Sequence, residues 1–137
     1  MTWTWDFAGV GLPSAELYVY AMGTHMHYAG RDMRVWLEPA QRSDDLCLIQ
    51  TPDWDYNWQR VYMYDAPRTK LPVMGQGDTI HMQCVFDNSM ENRFVREALA
   101  QQGLDAPQDV RLGEDTLDEM CLSVLGIMHL NLGSLGR

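Results

Sequence analysis

The chain reads as all-β: an antiparallel, jelly-roll-like β-sandwich with one short inserted helix near residues 91–102. Three observations predict this. Short segments alternate apolar and polar residues with a period of two, the mark of a strand with one buried face. Gly, Pro and Asp cluster between those segments at the close intervals expected of tight turns. A single stretch, Glu91 to Gln102, instead spaces Phe94, Val95, Ala98 and Leu99 for one face of a helix, with Gly103 as the stop.

Taken in order, Gly9 to Pro13 is a loop leading into the first strong strand, about Glu16 to His27. Ala29-Gly30-Arg31 turns, and Met33, Val35 and Leu37 then alternate with Arg34 and Trp36 in a second strand. Pro39 to Asp45 is a polar loop, and Leu46 to Ile49 forms a short apolar strand before the Thr51-Pro52-Asp53 turn. An aromatic segment from Trp54 runs through Tyr56 and Trp58 to Tyr64, and Pro67 to Pro72 is loop. Gly75-Gln76-Gly77-Asp78 is a tight turn feeding a strand from Thr79 to Phe86, whose Ile80, Met82 and Cys84 share one face. The last strand is expected at about Glu119 to Met128, followed by an irregular tail.

At 137 residues the chain is expected to fold as a single domain, 1–137, with a core of its own. Its 46% hydrophobic and 21% charged residues are those of a globular protein. No apolar run is long enough for a membrane-spanning helix. The net charge of −9 argues against nucleic acid and anionic lipid as partners. The first residues have neither the basic nor the apolar region of a secretory signal, so the expectation is either a cytosolic protein or, preferred here, a piece cut from a longer precursor. Cys47, Cys84 and Cys121 allow one disulfide and one free thiol, and no C-x-x-C pair is present to make a zinc ribbon or thioredoxin-type centre.

The chemistry concentrates at the end of the first strand, in Gly23-Thr24-His25-Met26-His27. Residues two apart on a strand share a face with Cβ atoms roughly 7 Å apart, so His25 and His27 can converge on one metal ion. The competing explanation is a chance pair on a half-exposed strand. Far downstream lies Asp118-Glu119-Met120-Cys121. Methionine is usually core filler, but a thioether beside two imidazoles is a soft donor set that suits copper, Cu(I) in particular. His81 reads as a surface or packing histidine and Cys47 as a buried free thiol. Trp54, Tyr56 and Trp58 suit an aromatic pocket or sheet packing equally well, while Asp118 and Glu119 are candidates to orient a ligand histidine.

In order along the chain, these residues resemble a family. Leu12-Pro13, Tyr18-Val19-Tyr20-Ala21 and His25-Met26-His27-Tyr28-Ala29-Gly30-Arg31 come first. Asp53-Trp54-Asp55-Tyr56-Asn57-Trp58-Gln59, Gly77-Asp78 leading to Cys84, and Asp118-Glu119-Met120-Cys121-Leu122 follow. Together they resemble the second domain of the copper type II, ascorbate-dependent monooxygenases, the dopamine β-monooxygenase and peptidylglycine α-hydroxylating monooxygenase group, from about residue 12 to residue 128. The resemblance implies that His25, His27 and Met120 bind one copper ion where oxygen is activated, and that Cys84 and Cys121 are disulfide-bonded. It implies a secreted or periplasmic oxidoreductase that hydroxylates a C–H bond of a small-molecule substrate with O2, ascorbate supplying electrons. A further partner follows, an N-terminal domain carrying a separate three-histidine copper; only His81 and His129 remain here beyond the pair, so this chain is expected to lack that domain and to be incomplete for turnover.

The chain departs from the peptide-amidating branch where that branch clamps its substrate. An arginine two residues before the first histidine, and an asparagine and a tyrosine two and four residues after the methionine, are here Gly23, Leu122 and Val124. Peptidylglycine is therefore not the expected substrate. The inserted 91–102 helix is longer than the corresponding loop of the animal enzymes. The alternative reading is a non-catalytic copper-binding β-sandwich module serving metal handling or assembly. A zinc hydrolase fits less well, since no glutamate on the His-x-His strand is placed to act as general base.

Overall fold

The computed structural model describes residues 2–4, by their backbone, and 16–129. The loop expected at Gly9–Pro13 and the tail beyond residue 129 lie outside the described residues. Two antiparallel sheets face each other. One has the strand order β1-β7-β3-β4, built from β1 (Thr2–Thr4), β7 (Thr79–Phe86), β3 (Gly30–Glu38) and β4 (Leu46–Pro52). The other is organised on β2 (Leu17–His25), which pairs on one side with β5 (Val61–Met63) and β6 (Val73–Met74), and on the other with β8 (Leu122–His129). This is the expected all-β sandwich.

The core lies where the inward rows of the two sheets meet. Leu17, Val19 and Met22 of β2 pack with Met33, Val35 and Leu37 of β3, all of them buried, and Ile80, Met82 and Cys84 of β7 join from the same face as their alternation requires. Leu125 and Ile127 pack inward from β8, whereas Leu122 and Val124 are exposed. That parity sends Cys121 inward as well. It reaches Cys84 of the opposite sheet in a disulfide with Cα atoms 6.0 Å apart, so the implied pairing is present and ties the layers together.

The helix α1 (Arg93–Gln101) is slightly shorter than its expected span, because Asn92 caps it by accepting a bond from the Phe94 N–H. Its buried stripe is the expected one, Phe94, Val95, Ala98 and Leu99. Val95 and Leu99 pack on Ala29, with Leu104 and Leu117 alongside, so the helix covers the end of the sandwich where β2 turns into β3.

Three expectations need correction. The first strand stops at His25 rather than His27, because the next backbone donors are taken by a side chain instead of a neighbouring strand. The aromatic segment is not extended throughout: Tyr56–Trp58 is a single 3-10 turn capped by the Asp55 carboxylate, and only Val61–Met63 pairs as strand. Cys47 is free, as expected, but exposed rather than buried. It lies on the edge strand β4 opposite Trp36 of β3, and Trp36 stacks on His81 along the outer face of that sheet. The alternation that buries Leu48 therefore turns Cys47 outward.

Candidate metal centre

The inward parity of Met22 and Met26, both fully buried, leaves His25 and His27 on the other side of the β2 chain. The structure brings the two imidazoles together, with ring centroids 5.1 Å apart and planes nearly perpendicular. His25 is half-buried and His27 is buried.

Each ring is held through the same nitrogen. His27 Nδ1 lies 2.9 Å from the backbone carbonyl oxygen of Asp118. A carbonyl can only accept, so Nδ1 carries the proton and Nε2 keeps its lone pair. His25 Nδ1 is hydrogen-bonded to the side-chain Oε1 of Gln59. The Gln59 amide donates its Nε2 to the Tyr56 carbonyl at 3.0 Å, which orients the amide so that its oxygen faces His25. Both imidazoles are thereby set in the tautomer with Nε2 available, the outer hydrogen bonding that ligating histidines ordinarily show.

The loop after the pair is anchored by Glu119. This buried carboxylate accepts from the His27 N–H at 2.8 Å, the Ala29 N–H at 2.6 Å and the Met120 N–H at 3.2 Å. Three backbone donors balance a charge that would otherwise be costly to bury. On the far side of the same backbone, Trp54 Nε1 donates to the His27 carbonyl at 3.2 Å and Asn92 Nδ2 donates to the Tyr28 carbonyl at 3.0 Å. Gly30 is required at this crossing, since a Cβ there would lie 2.7 Å from Trp54 Cδ1 and 2.8 Å from Met26 Cβ. Tyr56 closes one flank, edge-on to His27 at 6.4 Å between centroids and stacked on Tyr28 at 4.3 Å. Burial, with the Tyr56 phenol and the Glu97 carboxylate nearby, pushes the Tyr28 phenol up from its ordinary range.

Of the residues singled out in the sequence, His25 and His27 converge. The contacts from His27 to Asp118 and Glu119 bring the backbone just before Met120 against the pair, and Met120 itself is half-buried. Asp118 acts through its carbonyl and Glu119 through the His27 amide, so only Asp118 touches a ring. Trp54 is a core residue, Tyr56 lines the flank and Trp58 is exposed. His81 lies apart from the pair, with Nε2 2.5 Å from a Glu38 carboxylate oxygen and its ring stacked on Trp36. Gln59, which touches the His25 ring, is a residue of the candidate centre that sequence reasoning overlooked; its one signal was its place at the end of the aromatic motif.

Among the described residues, no group of three or more His, Cys, Asp or Glu side chains is arranged to hold a metal. A two-imidazole site needs a third donor of another kind, and thioether is the kind present in the adjoining segment.

The family profile described as "Copper type II ascorbate-dependent monooxygenase, C-terminal domain" matches residues 5–130. The chain belongs to this family. No curated protein matches it significantly. The match spans nearly the whole chain and includes both halves of the centre, the His25–His27 strand end and the Asp118–Cys121 segment. Family membership carries copper and ascorbate dependence, oxidoreductase chemistry and a companion domain as properties of the group. No helix among the described residues is long and apolar enough to cross a membrane.

Proposed function

We propose that this chain is the copper-binding catalytic domain of an ascorbate-dependent monooxygenase, with His25, His27 and Met120 as the ligands of one copper ion. The observation that carries the reading is the common tautomer of the two imidazoles, each with Nδ1 engaged by a carbonyl oxygen and Nε2 left as donor. Two nitrogens and a thioether form a soft, three-donor set that favours Cu(I) and leaves a position open. Copper held there would supply one-electron redox chemistry and a place for dioxygen.

The residues around it position and shield. Gln59 and the Asp118 carbonyl fix the rings, Glu119 holds the loop between them, and Tyr56 and Tyr28 screen one side from water. Inserting one oxygen atom of O2 into a C–H bond and releasing the other as water consumes two electrons and two protons, with ascorbate as the donor. A single one-electron site does not complete that balance, so the reading includes a companion copper domain that relays the second electron. It also places the protein in a secreted or periplasmic setting, supported by the Cys84–Cys121 disulfide.

The test is X-ray absorption on the Cu(I)-loaded chain. Two nitrogen ligands and one sulfur are expected, with the sulfur scattering lost in Met120→Ile while the circular dichroism stays unchanged. Sulfur scattering that persists in Met120→Ile refutes the ligand set. Coupled hydroxylation should require the companion domain, supplied fused or in trans, and should disappear in His25→Ala.

A further inference from the structure

Two tyrosines lead away from the proposed centre. The Tyr56 ring stands edge-on to His27 with centroids 6.4 Å apart, and Tyr28 is stacked on Tyr56 at 4.3 Å with the planes inclined by 29°. Both are half-buried, so the pair runs from a buried imidazole towards the surface. The Glu97 carboxylate of α1 is near the Tyr28 phenol and is itself exposed. Packing accounts for two rings here but not for two phenols. Among the described residues, neither hydroxyl is hydrogen-bonded to the protein, so phenylalanine would fill the same space.

What a phenol adds is redox chemistry. It gives up one electron together with its proton, which a plain benzene ring does not, and a stacked partner shares the resulting hole. The other aromatic residues beside the pair are less suited to this. Trp54 donates Nε1–H to the His27 carbonyl at 3.2 Å and is 5% exposed, so an oxidised indole there has neither a base for its proton nor a way out. Trp58 is exposed, but the Arg60 guanidinium lies 5.0 Å over its ring, and a cation there opposes positive charge on the indole. The Tyr56–Tyr28 pair combines contact with His27, a stacked second ring and a carboxylate at its outer end.

We infer that Tyr56 and Tyr28 form a redox outlet, which supplies an electron when Cu(I) and hydrogen peroxide meet at the centre without substrate, and so spares His25, His27 and Met120 from oxidation. The inference rests on the reading of those three residues as copper ligands. Hydrogen peroxide is the oxidant, being what O2 becomes when two electrons reach it with no C–H bond to attack. Its O–O bond breaks and it leaves as two waters, which takes two electrons and two protons. One electron comes from Cu(I), which becomes Cu(II), and the other from Tyr56, refilled in turn from Tyr28. Tyr28 ends as the neutral tyrosyl radical; its proton passes through Glu97, and the second proton is drawn from solvent. Ascorbate restores the phenol by giving the radical one hydrogen atom and becoming the ascorbyl radical.

The test adds hydrogen peroxide to the full chain loaded with Cu(I), without substrate or ascorbate, and reads the frozen product by electron paramagnetic resonance. Bound copper is set equal in every sample by chelator competition. A tyrosyl signal is expected beside that of Cu(II), and it should narrow when the chain is made with ring-deuterated tyrosine. The double variant Tyr28→Phe with Tyr56→Phe, which keeps both rings, should lose the signal. Peptide mapping of that variant should find more oxidised His25, His27 and Met120 than in the parent chain. Tyr28→Phe alone should hold the radical on Tyr56 and slow its decay when ascorbate is added. A parent chain with bound copper and no tyrosyl signal, a signal that survives in the double variant or that deuterated tyrosine leaves unchanged, or equal ligand oxidation in both chains would overturn the outlet alone. Chelator competition that His25→Ala leaves unaltered would overturn the copper reading, and the outlet with it.

Discussion

Replacing Glu119 is expected to unfasten the proposed copper centre while leaving its proposed ligands in the sequence. Its carboxylate accepts three backbone N–H groups at 2.6, 2.8 and 3.2 Å, and those of His27 and Ala29 are buried. A hydrogen bond to a charged acceptor contributes about 1.5–3 kcal/mol, and a buried donor left unpaired costs about 1–3 kcal/mol. Bonds that share one carboxylate are not additive, so Glu119→Ala is expected to destabilise the fold by about 3–5 kcal/mol. Glu119→Gln keeps one carbonyl oxygen for one of the two buried donors but turns an NH2 toward the other. Its expected cost is about 2–3 kcal/mol.

Urea denaturation followed by tryptophan fluorescence measures these costs, and chelator competition measures copper. Because Glu119 sets the backbone of His27 and the start of Met120, copper affinity should fall about 10–100-fold in Glu119→Gln, the range seen when outer partners of metal ligands are removed. A Glu119→Ala chain within about 0.5 kcal/mol of the parent, the scatter of ordinary surface substitutions, would refute the argument. Lost stability with unchanged copper affinity would refute the half of it that concerns the site.

Four further outcomes follow from the geometry. Replacing both Cys84 and Cys121 by Ser opens a cross-link between residues 37 apart, and the denaturation midpoint should report a loss of about 4 kcal/mol. Peptide mapping should find a single thiol, Cys47, which reacts with a thiol reagent without denaturant because it is exposed. Gln59→Leu should lower copper affinity about tenfold by releasing the His25 ring, with little change in the urea midpoint since Gln59 is only half-buried. Burial, with Cys47 nearby, pushes the Tyr64 phenol up to about 12, and the phenol donates to the Leu48 carbonyl at 2.5 Å. A raised phenol favours the folded state below its unfolded value of about 10, and that contribution is lost as pH rises through 12. Absorbance titration at 295 nm should show, beside the raised Tyr28 phenol, a late phenol that disappears in Tyr64→Phe, whose stability should fall less between pH 10 and 12.

Much of this was legible in the sequence, and the exceptions share a cause. The period-two rows of β3 and β7 and the helical stripe of α1 are local patterns, and local patterns carry through to burial. His25 and His27 were legible as neighbours for the same reason. Cys47 was misread because Leu46-Cys47-Leu48-Ile49 is an unbroken apolar run, in which parity is hidden, and because nothing local says that β4 is an edge. The early end of β2 was invisible for a different reason. The His27 N–H is claimed by a carboxylate 92 residues away, and no local signal announces such a bond. Gln59 escaped in the same way, since its partner His25 is 34 residues off and glutamine has no distinctive pattern.

The inserted helix gains a role from these long-range bonds that its sequence did not suggest. The proposed centre draws on two segments far apart in the chain, 25–27 and 118–121, so its shape depends on how firmly they are joined. The disulfide fixes Cys121 to β7 of the opposite sheet. Glu119 fixes the backbone at 27 and 29 from the downstream side. Neither holds the turn at Tyr28 and Ala29 from the other side. Asn92 does: 1% exposed, it caps α1 with its oxygen while its Nδ2 donates to the carbonyls of Tyr28 and Asp87 at 3.0 and 2.9 Å. Val95 and Leu99 then press on Ala29 from the helix. A side chain so completely enclosed has little freedom to trade these bonds for others. The insertion is thus more than a cover over the sandwich. It is the outer half of a clamp whose inner half is Glu119, and between them lies the turn that carries His27.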